Sequence, residues 1–213
     1  MPVTIAWMSN SLKSCVVVSK PSSSANFISK FVFLSESDFI FYTAKDYFEQ
    51  GFEILKTAHP IEFKFGETTT WKLCVPITLL SFSLEIVLKS FIPTIPKNLT
   101  PKEKHDLSIL YHLIEPSMQA DIESHFETCD RYNKPFFNIV LASRDAPRKQ
   151  RKEGFTAREK ITYSLERCND SFTKFRYLYE WESPSLYEFD FNTMLRLTHA
   201  CLAVKAKELN ISY

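Results

Sequence analysis

Glycine is scarce in this chain, and that scarcity restricts the folds open to it. Only 3 of the 213 residues are glycine. Glycine readily takes the positive φ angles that tight hairpin turns require, so a protein with many short strands normally contains more of it. The low count disfavours a many-stranded β fold and suits long helices. A hydrophobic content of 45% is ordinary for a globular domain, and the length is sufficient for one sizeable core.

Apolar residues in the first half of the chain recur at helical spacing. Between Phe41 and Phe52 they are spaced by 3, 4 and 4 residues. This pattern predicts a first helix over residues 37–57, with Ser37 or Asp38 able to cap its first turn. The helix is expected to end before Pro60, because the residue before a proline disfavours helical geometry.

A second, almost wholly apolar stretch follows the threonine cluster at residues 68–70. An apolar surface on all sides is typical of a central helix, which is predicted to end at Phe91, before Pro93. Pro76 lies near its start. The helix is therefore expected either to begin at this proline or to be kinked there.

Later helices are predicted from periodicity and from capping signals. Asp106 is a good N-cap for a third helix, and Thr156 with Glu159 forms a capping box at the start of a long one. The later helices are predicted over residues 106–115, 117–129, 156–179 and 191–209. With the first two, they predict an all-α protein, a helical bundle of five or six helices.

The N-terminal residues differ in composition from the rest. Cys15–Val18 is a short β-branched run, and residues 20–24 are a serine-rich turn signal. We expect residues 1–35 to form an N-terminal arm with a short strand or hairpin. The helical bundle is then expected over residues 36–213.

The cysteines indicate an intracellular setting. The 5 cysteines are odd in number, and no Cys-x-x-Cys pair occurs among them. This pattern fits neither a disulfide framework nor a zinc site, so we expect buried or free thiols, no metal and no cofactor. Neither a secretion signal nor an apolar run of about 18 residues is visible, so a cytoplasmic location without membrane attachment is expected.

The overall charge does not favour nucleic acid. A formal net charge of +1 means that any binding to RNA must use a local patch. Basic residues concentrate between Arg144 and Arg158, with no aromatic residue before Phe155. Such a segment can contact phosphates without reading bases, or it can be a solvated loop.

Three stretches place ionisable residues inside apolar helical patterns, and they are the candidate functional motifs. They are residues 84–89, 104–107 and 175–180. Glu85 and Lys89 are spaced i, i+4, and Arg176 and Glu180 repeat that spacing. Each pair can be an exposed ion pair, or it can line a groove at the border of the core.

Several histidines have competing interpretations. His105 precedes a helix start, where it can act as a general acid or base, contact a phosphate, or simply lie in a loop. His112 and His125 are expected to be packing residues. Arg196 and His199 are spaced by three on the last helix and can form a cationic pair for a phosphate, although a surface location is the simpler interpretation.

The order and spacing of these motifs resemble the HEPN superfamily of small α-helical bundles. The resemblance covers residues 38–182. It rests on four motifs. The first helix carries Tyr47–Lys56, and the second carries Glu85 and Leu88-Lys89. A His105-Asp106-Leu107 step opens the third helix, and a late helix carries Phe175–Glu180.

The resemblance implies a metal-independent endoribonuclease or an RNA- or nucleotide-binding module of prokaryotic toxin–antitoxin or phage-defence systems, usually a homodimer. It implies His105 and Arg176 as catalytic residues. The residues it implies for substrate binding are Glu85, Lys89, Tyr177 and Glu180.

The chain departs from the family in its catalytic motif. Family nucleases carry an arginine followed by a histidine four to six residues later, and no arginine here has a histidine at that spacing. Either His105 performs the proton transfer, or the domain binds without catalysis. A structural protein that pairs with an antitoxin or another operon partner, and a phenylalanine-rich pocket for a small molecule, are the remaining alternatives.

Overall fold

Helices dominate the part of the chain that the structure describes. The computed structural model describes residues 15–18, 30–33, 35–57, 68–129, 132, 139–141, 154–169 and 187–213. Within these ranges the α helices are α1 (Glu36–Thr57), α2 (Thr68–Ser90), α3 (Leu107–His112), α4 (Pro116–Thr128), α5 (Ala157–Cys168) and α6 (Phe191–Glu208). The prediction of an all-α bundle of five or six helices is confirmed.

Helix α1 begins slightly earlier than predicted. The backbone N–H of Asp38 donates to Ser35 Oγ at 3.1 Å, and the N–H of Ser35 donates to Asp38 Oδ2 at 3.0 Å. This reciprocal pair caps the helix start. Ser35 is thus the capping residue, with Asp38 as its partner, and Ser37 lies inside the first turn.

Pro76 lies within α2, which continues on both sides of it. A proline inside a helix lacks the N–H that would bond to the carbonyl four residues earlier. The next turn is supported by Thr78, whose hydroxyl donates to the carbonyl of Cys74 at 2.8 Å. The sequence allowed a helix that begins at Pro76 or one that is kinked there, and the first of these predictions is wrong.

Helices α1 and α2 pack closely because small residues lie between them. A Cβ atom on Gly51 would lie 3.1 Å from Leu80 Cγ and 3.2 Å from Leu79 Cβ. Ser83 on α2 donates its hydroxyl hydrogen bond across the interface to the carbonyl of Ala44, at 2.6 Å. These two contacts fix how α2, which carries part of the candidate site, lies against α1.

Local signals set the starts of the next helices. Asp106 Oδ1 accepts from the backbone N–H groups of Ser108 and Ile109, which caps α3 as predicted. Pro116 occupies the first turn of α4, where its missing N–H costs nothing. At α5 the predicted capping box of Thr156 and Glu159 is present.

Helix α5 ends earlier than predicted. Asn169, the residue after it, has φ −55° and ψ 145°, which is outside the helical region. The prediction of one unbroken helix over residues 156–179 is therefore wrong at Asn169. Residues 170–179 lie outside the described residues.

Helix α6 is the centre of the bundle. It packs against α1, α2, α4 and α5, and most of its residues are buried. Asp190 caps its start, accepting from the backbone N–H of Thr193 at 3.1 Å and from the hydroxyl of Ser164 on α5 at 3.3 Å. The cap therefore also joins α6 to α5.

Short strands accompany the helices. β1 (Cys15–Val18) and β2 (Lys30–Phe33) pair antiparallel, with Cys15 opposite Phe33. β3 (Ile139–Leu141) and β4 (Tyr187–Phe189) form a second antiparallel pair. The second pair was not predicted from sequence, and the division into an arm and a bundle stays a prediction.

One segment of α2 is long and apolar enough to cross a membrane by length and composition alone. Among the described helices this is Leu73–Ser90, and most of it is buried inside the bundle. A buried core helix has the same length and composition. The expectation of no membrane attachment stays a prediction.

Candidate functional site

The candidate site is centred on a buried carboxylate. The side chain of Glu85 on α2 is only 5% exposed, and its Oε1 accepts a hydrogen bond from Lys89 Nζ at 2.6 Å. His105 Nδ1 lies 2.7 Å from the same oxygen. The structure thus brings together three of the predicted site residues, which we call the Glu85 cluster: Glu85, Lys89 and His105.

The apolar surface of α2 explains the burial of Glu85. Leu84, Val87 and Leu88 on this helix are fully buried, so the carboxylate is bordered by core residues. A buried charge is costly unless it is paired and hydrogen-bonded. One turn of helix places Lys89 beside it, and the folded chain supplies His105 from a separate element.

A short 3-10 helix (Glu103–His105) positions the imidazole. Thr100 and Glu103 cap it reciprocally, and the hydrogen bond from the Thr100 backbone lowers the pKa of the Glu103 carboxyl. The His105 side chain remains 58% exposed. One edge of the His105 ring therefore contacts the buried Glu85 carboxylate, while much of the side chain is exposed to solvent.

The residue after His105 connects the site to α5. Asp106 uses Oδ1 to cap α3, and its Oδ2 accepts a short hydrogen bond from Asn169 Nδ2 at the end of α5. The turn that carries His105 is consequently held against the point at which the chain leaves α5.

The protonation pattern of the Glu85 cluster follows from its geometry. A carboxylate oxygen only accepts hydrogen bonds, so the contact places the proton of neutral His105 on Nδ1. The second ring nitrogen, Nε2, then carries the lone pair. A histidine oriented in this way by a carboxylate can take up or deliver a proton at Nε2.

The remaining predicted site residues belong to a part of the chain that the structure does not describe. Arg176, Tyr177 and Glu180 lie outside the described residues, as does the basic segment before Gly154. At the end of that segment, Arg158 donates through Nε to Glu123 Oε1 at 2.8 Å, and this hydrogen bond raises the pKa of Arg158.

Arg196 and His199 do not form a phosphate site together. Arg196 Nη2 donates to the carbonyls of Phe126 at 2.5 Å and Glu127 at 3.4 Å, and its guanidinium lies 4.4 Å from the Phe126 ring centre. It therefore caps the end of α4. The His199 ring instead contacts Cys129, with 3.8 Å between Nδ1 and Sγ.

The prediction that His112 and His125 are packing residues is wrong. Both side chains are exposed, and His112 Nδ1 contacts the carbonyl of Ser108 in its own helix at 2.7 Å. The buried residues of α4 are Ile122 and Phe126. Helical periodicity placed His125 on the same face of α4 as Ile122 and Phe126. His125 lies at the edge of that apolar face, and the other helices cover only its centre.

A second polar cluster was not found from sequence. The hydroxyl of Tyr111, a residue only 1% exposed, donates to Glu123 Oε1 at 3.0 Å. Burial, followed by the nearby Glu123 charge, raises the pKa of Tyr111. Since Arg158 binds the same carboxylate oxygen, this cluster joins α3, α4 and α5, and its partners are too far apart in sequence for any local pattern to reveal.

The cysteines with described side chains lie apart from one another and are buried. Cys74, Cys129, Cys168 and Cys201 are buried thiols outside any disulfide. Among the residues whose side chains are described, no three His, Cys, Asp or Glu side chains converge on a point where an ion could bind. The Glu85 carboxylate contacts Lys89 and His105.

Comparison of the chain with protein-family models, with curated proteins and with solved structures found no match.

Proposed function

We propose that this protein is a HEPN-like RNA- or nucleotide-binding protein whose ligand phosphate binds beside the Glu85 cluster. One observation carries the proposal: a single buried carboxylate oxygen accepts hydrogen bonds from both Lys89 and His105. That contact places two groups able to bind a phosphate next to each other, although they come from separate elements.

Each member of the cluster has a role in the proposal. Glu85 orients the imidazole and holds the Lys89 ammonium nearby. Lys89, whose side chain is 27% exposed, has further N–H donors for phosphate oxygens. His105 presents its exposed ring edge to the ligand and is the candidate general acid or base.

Arg176, Tyr177 and Glu180 complete the proposed site. Asn169, which precedes these residues in the chain, donates a side-chain hydrogen bond to Asp106, the residue after His105. In the proposal Arg176 binds phosphate oxygens, while Tyr177 and Glu180 contact the nucleotide. A bidentate arginine is well suited to phosphate.

The enzymatic form of the proposal is a metal-independent endoribonuclease. His105 Nε2 would accept the proton of the ribose 2′-hydroxyl, which attacks the adjacent phosphorus, while Lys89 and Arg176 stabilise the negative charge that develops there. The bond from phosphorus to the 5′-oxygen would break, and the 5′-oxygen would leave with the bonding electrons and take the proton from His105, giving a 2′,3′-cyclic phosphate and a 5′-hydroxyl end. The chain lacks the usual arginine–histidine spacing, so His105 alone is assigned the proton transfer.

RNA binding and cleavage should be measured with labelled single-stranded RNA in the presence of EDTA. Lys89→Met and Arg176→Met should each weaken binding about tenfold, as expected for loss of one charge-assisted hydrogen bond. His105→Gln should abolish cleavage and change binding less. Lys45→Met is the matched control for Lys89, because Lys45 also forms an i, i+4 pair with a glutamate, Glu49, but on the surface of α1.

The control for His105 is His125→Gln, because His125 is also exposed but lies on α4. Wild-type protein that binds neither RNA nor a nucleotide would refute the proposal. Binding that is unaffected by Lys89→Met and Arg176→Met would show that the ligand lies elsewhere.

A structural role is the second candidate, favoured by the 5% exposure of the Glu85 side chain. The cluster would then be an internal ion-pair network that fixes α2 against the 3-10 helix. In this version the protein pairs with an antitoxin or another operon partner, whereas the RNA- or nucleotide-binding version is proposed to be a cytoplasmic homodimer. Light scattering after size exclusion, alone and with the neighbouring gene products, tests for these assemblies.

A further inference from the structure

A thiol and an imidazole meet at the end of α4, among residues to which the proposed function gives no role. Cys129 is the C-cap residue that follows α4, and His199 lies on α6, 70 residues later in the chain. Cys129 Sγ and His199 Nδ1 are 3.8 Å apart, within hydrogen-bonding range for sulfur. A nucleophile next to a base is the basic arrangement of an activated thiol.

Aromatic rings surround the imidazole of His199. The ring centre of His199 lies 5.4 Å from that of Tyr132, 5.2 Å from that of Tyr213 and 6.5 Å from that of Phe48. These ring contacts hold the imidazole beside the Cys129 thiol.

Arg196 supplies a further positive charge. Its guanidinium bonds to the carbonyls of Phe126 and Glu127 in the last turn before Cys129. The carboxyl end of a helix carries partial negative charge, which disfavours a thiolate at that position. The guanidinium offsets this effect at the end of α4.

We propose that Cys129 and His199 form a nucleophilic thiol site that is modified by soft electrophiles. In the reaction, His199 Nδ1 accepts the thiol proton. The sulfur electron pair forms a bond to the electrophilic carbon, and the leaving group departs with the electrons of the bond that breaks. With iodoacetamide, the products are an S-carbamidomethyl group on Cys129, iodide and the proton held by His199.

The chain contains an internal control for this reactivity. Cys74 and Cys129 are both 8% exposed, so solvent access alone predicts similar rates of modification. Burial raises the pKa of the Cys74 thiol to about 11. Cys168 and Cys201 are fully buried, and burial also raises the pKa of Cys201.

The test is the rate of carbamidomethylation of each cysteine in the native, full-length protein, measured by peptide mass spectrometry under limiting iodoacetamide at neutral pH. Cys129 should react about tenfold faster than Cys74, since a positioned base accelerates proton transfer by that factor or more. His199→Gln should reduce the Cys129 rate to that of Cys74 and leave the Cys74 rate unchanged. His125→Gln should change neither rate.

Circular dichroism of His199→Gln checks that the bundle is intact, and His199→Asn provides a second substitution if the first variant does not fold. A Cys129 rate equal to or below that of Cys74 would overturn the proposal. So would a rate advantage that persists in both His199 variants, because Cys129 would then react without the imidazole.

Discussion

Lys205 on α6 donates a hydrogen bond to the backbone carbonyl of Ser90, the last residue of α2, with 3.1 Å between Nζ and O. Lys205 is only 4% exposed, and its ammonium also contacts Glu208 at 2.9 Å and the Phe91 ring at 5.3 Å. A buried cation thus caps the helix that carries Glu85 and Lys89. Helix α6 therefore holds the C-terminal end of α2, close in sequence to Lys89 of the candidate site.

Lys205→Met should destabilise the protein by about 1 kcal/mol, because the Ser90 carbonyl loses its donor while the apolar part of the side chain is kept. Urea denaturation measures the change in the free energy of unfolding. The control, Lys207→Met on the exposed face of the same helix, should change it by less than about 0.5 kcal/mol. A more stable Lys205→Met protein would mean that burying the charge costs more than its contacts return.

Glu85→Gln should cost about 2 kcal/mol of stability, because the amide cannot provide the charge that holds both Lys89 and His105. Glu49→Gln is the matched surface control, since Glu49 pairs with Lys45 but its side chain is 55% exposed. That change should stay within about 0.5 kcal/mol. Equal effects from the two substitutions, in urea denaturation, would show that the burial of Glu85 is energetically unimportant.

Gly51→Ala should destabilise the packing of α1 against α2, with a net loss of about 1 kcal/mol. Overpacking costs about 1–3 kcal/mol, against a gain of about 1 kcal/mol in helix propensity. The loss is expected to prevail because one contact, at 3.2 Å, is with Leu79 Cβ, which cannot rotate away from its own backbone. Gln50→Ala, on the exposed side of α1, is the control in thermal denaturation, and a higher melting temperature for Gly51→Ala would contradict the prediction.

Stability should fall as the pH rises from 9.0, the ordinary pKa of a cysteine thiol, toward about 11, the value to which burial raises the pKa of Cys74. The native state retains this thiol proton to a higher pH than the unfolded chain does. The unfolded chain therefore ionises first, and unfolding becomes easier as the pH rises. Cys74→Ala should flatten this part of the profile in urea denaturation at a series of pH values, and an unchanged slope would contradict the assignment.

Local chemistry made much of the helix pattern predictable. Asp106 caps α3 and the Thr156–Glu159 box opens α5, because both interactions join residues within three positions of each other. The last helix was predicted over residues 191–209 and is observed over Phe191–Glu208. Periodicity alone was less accurate at the other end of α5, because apolar spacing continues past Asn169 while the backbone there leaves the helical region.

The sequence by itself determined the helical fold class, most helix starts and the proximity of Glu85 to Lys89, because repeat spacing and capping depend on near neighbours. The tertiary structure alone decided that His105 shares the Glu85 carboxylate, that Arg196 caps α4 and that Lys205 caps α2. These partners are separated by 20, 70 and 115 residues. Contacts of that range depend on how the helices pack against one another, and no periodicity within a single helix encodes that packing.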